Sequence, residues 1–538
     1  MHRGMEKNLQ SLWSGFVEAM EIEPRWLGVL EAFAPEDDED APAPSDRTFA
    51  DLEATQGRIL ETLPEEISRL LEVEVDADQA ALFARRLRTV AGLLQDMGGR
   101  APEARLLRSG LIARASGILA APGPRALRIR ALADFYYSSA AVLHHRDRLE
   151  AVGRTPSALA ELVEAAPWRK TGPGIFHRCI TGDGPHGPVH INALRFDRAR
   201  FRFRALDLRG TDLERRPFDA VARDAGAIAA ISGGFFLYSE HDIRPPSQRF
   251  DPVGMLVSDG AVRWPPIYRR GAFVQDLGGH CHVREVSLSG VTIQGPLELL
   301  VSGVNPRIRR VDAPTAFTRA WGTEVLHPGP SLTFYGRRVT ARCDGGKHPV
   351  PLNGFVLCLP DRTEWRGLLD RFPPGTEVSY RLPAHGRRPG IRDAVAAGPV
   401  LVRDGHRTMD LVAEDFLPGV PPATFSGDET GDRNLLPRLA AGLTGEHQVV
   451  FAAVDGRNFE RAVGMTLKDT ARLMGALGCR DAVNLDGGSS KRMVLDGHIL
   501  DLPTTEIISG TPETVSGDPP ATPPVRPVLT GILVLPEP

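Results

Sequence analysis

Hydrophobic spacing divides the chain into two parts. Phe83, Leu87, Val90, Leu94 and Met97 recur at three- and four-residue intervals and stop at Gly98-Gly99, which predicts an amphipathic helix with a glycine terminus. Residues 106–119, 126–149 and 157–165 are rich in Ala, Leu and Arg and poor in β-branched side chains. Residues 1–165 therefore read as an all-α N-terminal domain. The run Glu36-Asp37-Asp38-Glu39-Asp40, followed by Ala41-Pro42-Ala43-Pro44, predicts a solvated acidic linker near 35–46.

From Trp168 onward the apolar runs shorten and are separated by Gly, Pro and Asp. Residues 189–196, 201–206, 227–231, 331–339, 352–359, 376–382 and 528–535 are strand candidates. Asp259-Gly260, Asp404-Gly405 and Asp496-Gly497 each sit between β-rich flanks. Both central positions of a type I′ turn need positive φ, so these three aspartates read as turn formers rather than catalysts.

The segment 447–490 carries the most information. Residues 448–454 form a continuous apolar run of buried-strand type and end in Asp455-Gly456-Arg457. Thr466, with Asp469 three positions on, marks a helix start, and Gly478 marks its end. Residues 481–485 re-enter a sheet and leave it through Asp486-Gly487-Gly488-Ser489-Ser490. A right-handed strand-helix-strand unit would make these two strands parallel neighbours, with Asp455 and Asp486 side by side at one sheet edge. The fold expected over 168–538 is α+β, a mixed β-sheet catalytic domain with flanking helices and a β-rich portion.

Composition narrows the function classes. The chain has 538 residues, 42% apolar and 25% charged, which excludes a disordered or collagen-like chain. A formal net charge of -4 gives no general attraction for nucleic acid. There is no run of about 18 apolar residues, so no membrane span is expected. Residues 1–20 mix charged and apolar positions, and no export signal is read there. Five scattered cysteines fit reduced thiols, so the expected location is cytoplasmic. His280-Cys281-His282 lacks a second Cys/His pair at zinc spacing. No cofactor is firmly expected; a divalent cation is a candidate.

Two carboxylates at neighbouring strand ends are the equipment for splitting a glycosidic bond, and a Gly-Gly turn with following hydroxyls can receive an anion. Asp486 and Asp455 are the candidate catalytic pair. Ser232, Gly233, Gly234, Arg438, Arg457, Asn484, Gly487, Gly488, Ser489 and Ser490 are candidate substrate contacts, with the arginines as clamps on phosphate.

Asn484-Leu485-Asp486-Gly487-Gly488-Ser489-Ser490, preceded by Val454-Asp455-Gly456-Arg457 and Gly464-Met465-Thr466-Leu467, resembles the C-terminal signature of the phosphodiester glycosidase family. Ala229 to Phe236, Ala397 to Val402, Pro437-Arg438 and Arg526-Pro527-Val528 match in the family's order. The resemblance spans 168–538. It implies hydrolysis of a sugar 1-phosphodiester, with a sugar-phosphate substrate as partner; the helical N-terminal part lies outside it and is a candidate for protein interaction. Ser232, Leu439 and Ser489 depart from the family pattern, which usually has Asn, Thr and Gly there. Two other readings compete. In one, Asp455, Asp486 and Asp393 hold a metal for phosphodiester hydrolysis. In the other, a degenerate domain binds a glycan or nucleotide-sugar without turnover.

Overall fold

The computed structural model describes residues 152–153, 157–209, 216–237, 251–306, 312–383, 390–416, 435–446, 448–456, 461–502 and 528–537. The helices expected over 83–97, 106–119 and 126–149, the acidic linker, and Arg457 lie outside the described residues. By Cα proximity the chain divides into two units, and the larger holds Ser157–Gly184, Val189–Thr504 and Ala521–Pro538. Everything below concerns that unit. Among the described residues no helix is long and apolar enough to cross a membrane.

The α+β expectation is overturned. The described residues are 48% strand and 12% helix, and the strands fall into five separate sheets. Among the described residues the flanking helices reduce to four short α-helices, Leu159–Ala165, Phe218–Asp224, Thr363–Leu368 and Leu467–Ala476. Frequent Gly and Pro, 55 and 45 in the chain, interrupt the apolar runs before a helix can lengthen.

The largest sheet has eight strands. Its order is Arg169–Gly172, Ile175–Asp183, Pro188–Phe196, Val449–Val454, Arg438–Thr444, Cys479–Leu485, Val400–Arg403, His406–Arg407. The expected parallel neighbours are therefore not neighbours. Arg438–Thr444 lies between Val449–Val454 and Cys479–Leu485 and pairs antiparallel with both. The two outer strands still run the same way, so their carboxyl ends remain at one edge with an extra strand start between them.

The helix over Leu467–Ala476 follows its cap. Thr466 Oγ1 accepts from Asp469 N at 3.0 Å, and Gly478 stops the chain at φ +88°. Leu467, Ala471 and Met474 join Leu159 and Val163 against Ile180, Ile191, Val450, Ala452 and Val454 on one face of the sheet. On the other face Phe451 packs edge-on to Phe203 and Phe273, with centroids 5.9 Å away in each case, and lies 5.6 Å from Phe196. Phe203 and Phe273 come from two other sheets. Such ring pairs contribute about 0.5–1.5 kcal/mol each beyond their buried area, so this quartet fixes three sheets to one another.

The three Asp-Gly turns are as expected: Asp259, Asp404 and Asp496 have φ of 49°, 51° and 49°, and each following glycine is also positive. Each joins an antiparallel pair. The aspartates are there for the backbone.

Candidate active site

Register brings the chemistry-bearing residues to one sheet edge. Val454 pairs with Ile191 and with Arg438, and Leu439 pairs with Leu485. Stepping outward, His190, Asp455, Pro437 and Gly487 form a row, with Asp486 one step inside it opposite Arg438. Two glycines keep the row tight. A Cβ on Gly456 would lie 2.8 Å from Pro437 N, and one on Gly487 would lie 2.3 Å from Pro437 O. Side chains would push both turns off Pro437.

Alternation decides which face each side chain takes. Ile191 and Val454 enter the helix-covered core, so His190 and Asp455, one step along, point to the opposite face. There Asp455 Oδ2 lies 2.5 Å from His190 Nδ1. Its Oδ1 accepts from Lys491 Nζ at 2.5 Å and from Leu502 N at 3.1 Å. Lys491 Nζ also donates to Asp501 Oδ2 at 2.8 Å. Asp455, Lys491 and Asp501 are buried, and His190 keeps 25% of its side chain exposed. Burial works to raise the Asp455 pKa, but the Lys491 charge and the bonds from His190 and Lys491 overcome it and hold the carboxyl below its ordinary value.

Asp486, half-buried, belongs to the second part of the edge. Its N–H donates to Gly233 O at 3.0 Å, which carries the Ser232-Gly233-Gly234 turn to the strand end. Gly233 N and Gly234 N donate to Thr530 O and Thr530 Oγ1 at 2.8 and 3.0 Å. One step beyond the Leu439–Leu485 pair, Arg438 stands opposite Asp486. Arg438 is buried and donates from Nε to Met465 O at 2.9 Å. Asn484 Nδ2 donates to Gly398 O at 2.9 Å, while its Oδ1 is buried with no hydrogen-bond partner among the described residues. Leu485 lies in the aromatic-side core, so by alternation Asn484 takes the helix-covered face, away from His190.

Several sequence-derived roles change. The amides of Asp486, Gly488 and Ser490 donate to Gly233 O, Pro437 O and Gly487 O, so these three do not form an open phosphate nest. Ser232 is buried, and its Oγ accepts from Arg492 N at 3.0 Å, pinning two strands where the family usually has Asn. Leu439 is core. The Ser489 side chain lies outside the described residues. His190 was missed, and Lys491 was weighed only as added positive charge after the serines. His190 occupies a polar position on an expected strand, and only its pairing with 449–454 shows its partner. Lys491 reads as solvent-facing beside Ser490 and is fully buried instead.

The metal reading does not fit these donors. An ammonium already occupies Asp455, and Asp393 accepts from Ala205 N at 3.0 Å from a strand of another sheet. Among the described residues no group of three or more His, Cys, Asp or Glu is placed to hold a metal ion.

Comparison with known family models places a match in the second half of the chain. Residues 341–534 match the phosphodiester glycosidase family. The matched segment includes Arg438, Asp455, Asp486 and Lys491; Ser232 to Gly234 and His190 lie upstream of it. Among solved structures, a hypothetical protein from Synechocystis is 19% identical with a TM-score of 0.42, over 69% of this chain and 63% of that one. A candidate exported protein from Burkholderia pseudomallei is 24% identical with a TM-score of 0.42, over 66% and 75%. The catalytic domain of zebrafish N-acetylglucosamine-1-phosphodiester alpha-N-acetylglucosaminidase, auto-inhibited by its pro-peptide, is 15% identical with a TM-score of 0.35, over 73% and 92%. This chain thus spans just under two thirds of the Synechocystis protein. No curated protein matches significantly.

Proposed function

We propose that this chain hydrolyses the glycosidic bond of a sugar 1-phosphodiester at the edge formed by His190, Asp455 and Asp486. The observation that carries the reading is the His190–Asp455 pair, in a segment arrangement that ends in the family's Asp486-Gly487-Gly488 turn. An imidazole that gives its Nδ1–H to Asp455 has a fixed ring and a free role for Nε2 in proton transfer.

Asp455 then changes role from the one its sequence position implies. Both its oxygens are engaged and its carboxyl stays ionised, so it orients His190 and stabilises the imidazolium instead of attacking the sugar. Asp486, in the family's Asp-Gly-Gly turn, takes the role at the reacting carbon or the leaving oxygen. Arg438, opposite it in register, sets positive charge close to that carboxylate and to an incoming phosphate. Gly233 and Gly234 hold the neighbouring turn against Asp486. Asp486→Asn should abolish release of free sugar from a UDP-sugar while leaving the protein folded. Undiminished turnover by that variant removes Asp486 from the mechanism.

A further inference from the structure

On the exposed side of His190 stands a thiol. Cys179 Sγ lies 3.8 Å from His190 Nε2, while His190 Nδ1 lies 2.5 Å from Asp455 Oδ2. The three residues come from three successive strands of the eight-stranded sheet, Ile175–Asp183, Pro188–Phe196 and Val449–Val454 with its following residue. Ile180 and Ile191 enter the helix-covered core, so Cys179 and His190 share the opposite face with Asp455. Nucleophile, base and orienting carboxylate are thus aligned by the pleat alone. The sequence reading treated Cys179 only as one of five reduced thiols, and the glycosidase reading makes no use of it.

Cys179 also differs from the other cysteines in access. It is exposed, whereas Cys281, Cys358 and Cys479 are buried and Cys343 is intermediate. Charged groups that bear on the thiol are Asp455 and Arg169, with Lys491 and Asp501 behind the carboxylate. Burial first, then the Asp455 charge, hold the thiol above its ordinary pKa, with Arg169 opposing. At rest the sulfur is therefore protonated, and the base must take the proton as the new bond forms.

We propose that Cys179 is a covalent modification site for small disulfides, with His190 as its general base. The proton of Cys179 passes to His190 Nε2 as Sγ attacks one sulfur of the disulfide. A new S–S bond joins Cys179 to half of the reagent, the old S–S bond breaks, and the departing thiolate takes the proton from His190. One disulfide is consumed and one thiol released, with no outside oxidant or reductant. Displacement at sulfur needs a thiol, a base and an open approach, and all three are present. The adduct sits over His190 Nε2, so modification switches off any chemistry that uses that nitrogen. This last consequence rests on the glycosidase reading; the modification itself does not.

The test uses the full chain with oxidised glutathione, followed by intact mass and by peptide mapping across a pH series. We expect one adduct per chain, on Cys179, absent in Cys179→Ser. We expect exchange near neutral pH about tenfold or more faster than for an unstructured cysteine peptide, as general-base assistance allows. In His190→Asn that advantage should vanish and the rate should rise with pH as free thiolate appears. An adduct on another cysteine overturns the proposal, and so does a wild-type rate no greater than that of the peptide, a comparison that needs no variant to fold. Because the readout is mass, the adduct can form with its His190 dependence intact even where no sugar phosphodiester is cleaved, which would count against the glycosidase reading alone.

Discussion

Lys491 Nζ lies 2.5 Å from Asp455 Oδ1 with both side chains at 1% exposure or less. An ion pair taken that far from water is held together by its remaining bonds, here to Asp501, Leu502 and His190. Removing one member leaves the other charge buried and undercompensated. Lys491→Met, which leaves Asp455 and Asp501 buried without their shared ammonium, should therefore cost about 3–5 kcal/mol of stability. Adding Asp455→Ala to Lys491→Met should recover part of that loss. Urea denaturation of the three proteins measures it, and equal stability of the single and double variants would contradict the pairing.

The same carboxyl sets an acid limit. Its folded pKa lies below the ordinary value, so its contribution is full above the ordinary carboxylate range and is lost as pH falls through the folded value. Stability of the wild type should fall more steeply on acidification than that of the double variant, as denaturation midpoints taken below about pH 5 would register.

Asp251 works in the opposite sense. Burial raises its pKa from 3.8 to about 6, against the bond from Tyr335 and the charge of Arg209, whose Nη1 is 2.8 Å from Asp251 Oδ1. A raised carboxyl contributes stability fully below its unfolded pKa and loses it as pH rises through about 6. A shift of that size corresponds to about 3 kcal/mol. Asp251→Asn should flatten the decline in stability between about pH 4 and pH 7. A decline of unchanged slope would show that another group causes it.

Backbone contact at Gly487 gives a local test. A Cβ there would meet Pro437 O at 2.3 Å, whereas one at Gly497 finds its nearest atom, Arg223 Cδ, at 3.8 Å. Gly487→Ala should cost about 1–3 kcal/mol from overpacking and should impair activity, because it moves Asp486. Gly497→Ala, strained only by its positive φ of 75°, should cost about 1–2 kcal/mol and leave turnover intact. Thermal melts and initial rates separate the two.

Local signals were legible in the residues because their physics is local. The Thr466 cap, the Gly478 stop and the three Asp-Gly turns depend on a few neighbouring dihedrals and hydrogen bonds. The strand order was not legible. Nothing within 448–485 says that Arg438–Thr444 inserts between the two strands, since pairing over long separations is decided by the whole sheet. The same holds for the site. Asp455 and Asp486 stand out beside their glycines, but His190 precedes Asp455 by 265 positions, and the burial of Lys491 depends on Asp501 beyond the Asp496-Gly497 turn. Ser232 was expected at a ligand and instead closes a hydrogen bond between strands, a distinction that a hydroxyl in a sequence does not make.

The most direct test is which bond breaks. A UDP-sugar turned over in water enriched in heavy oxygen should give UDP that carries no heavy oxygen, because water attacks the sugar carbon, and both Asp486→Asn and His190→Asn should lose this activity. Heavy oxygen in the phosphate of the nucleotide product would mean cleavage at phosphorus and would contradict a glycosidase at this edge.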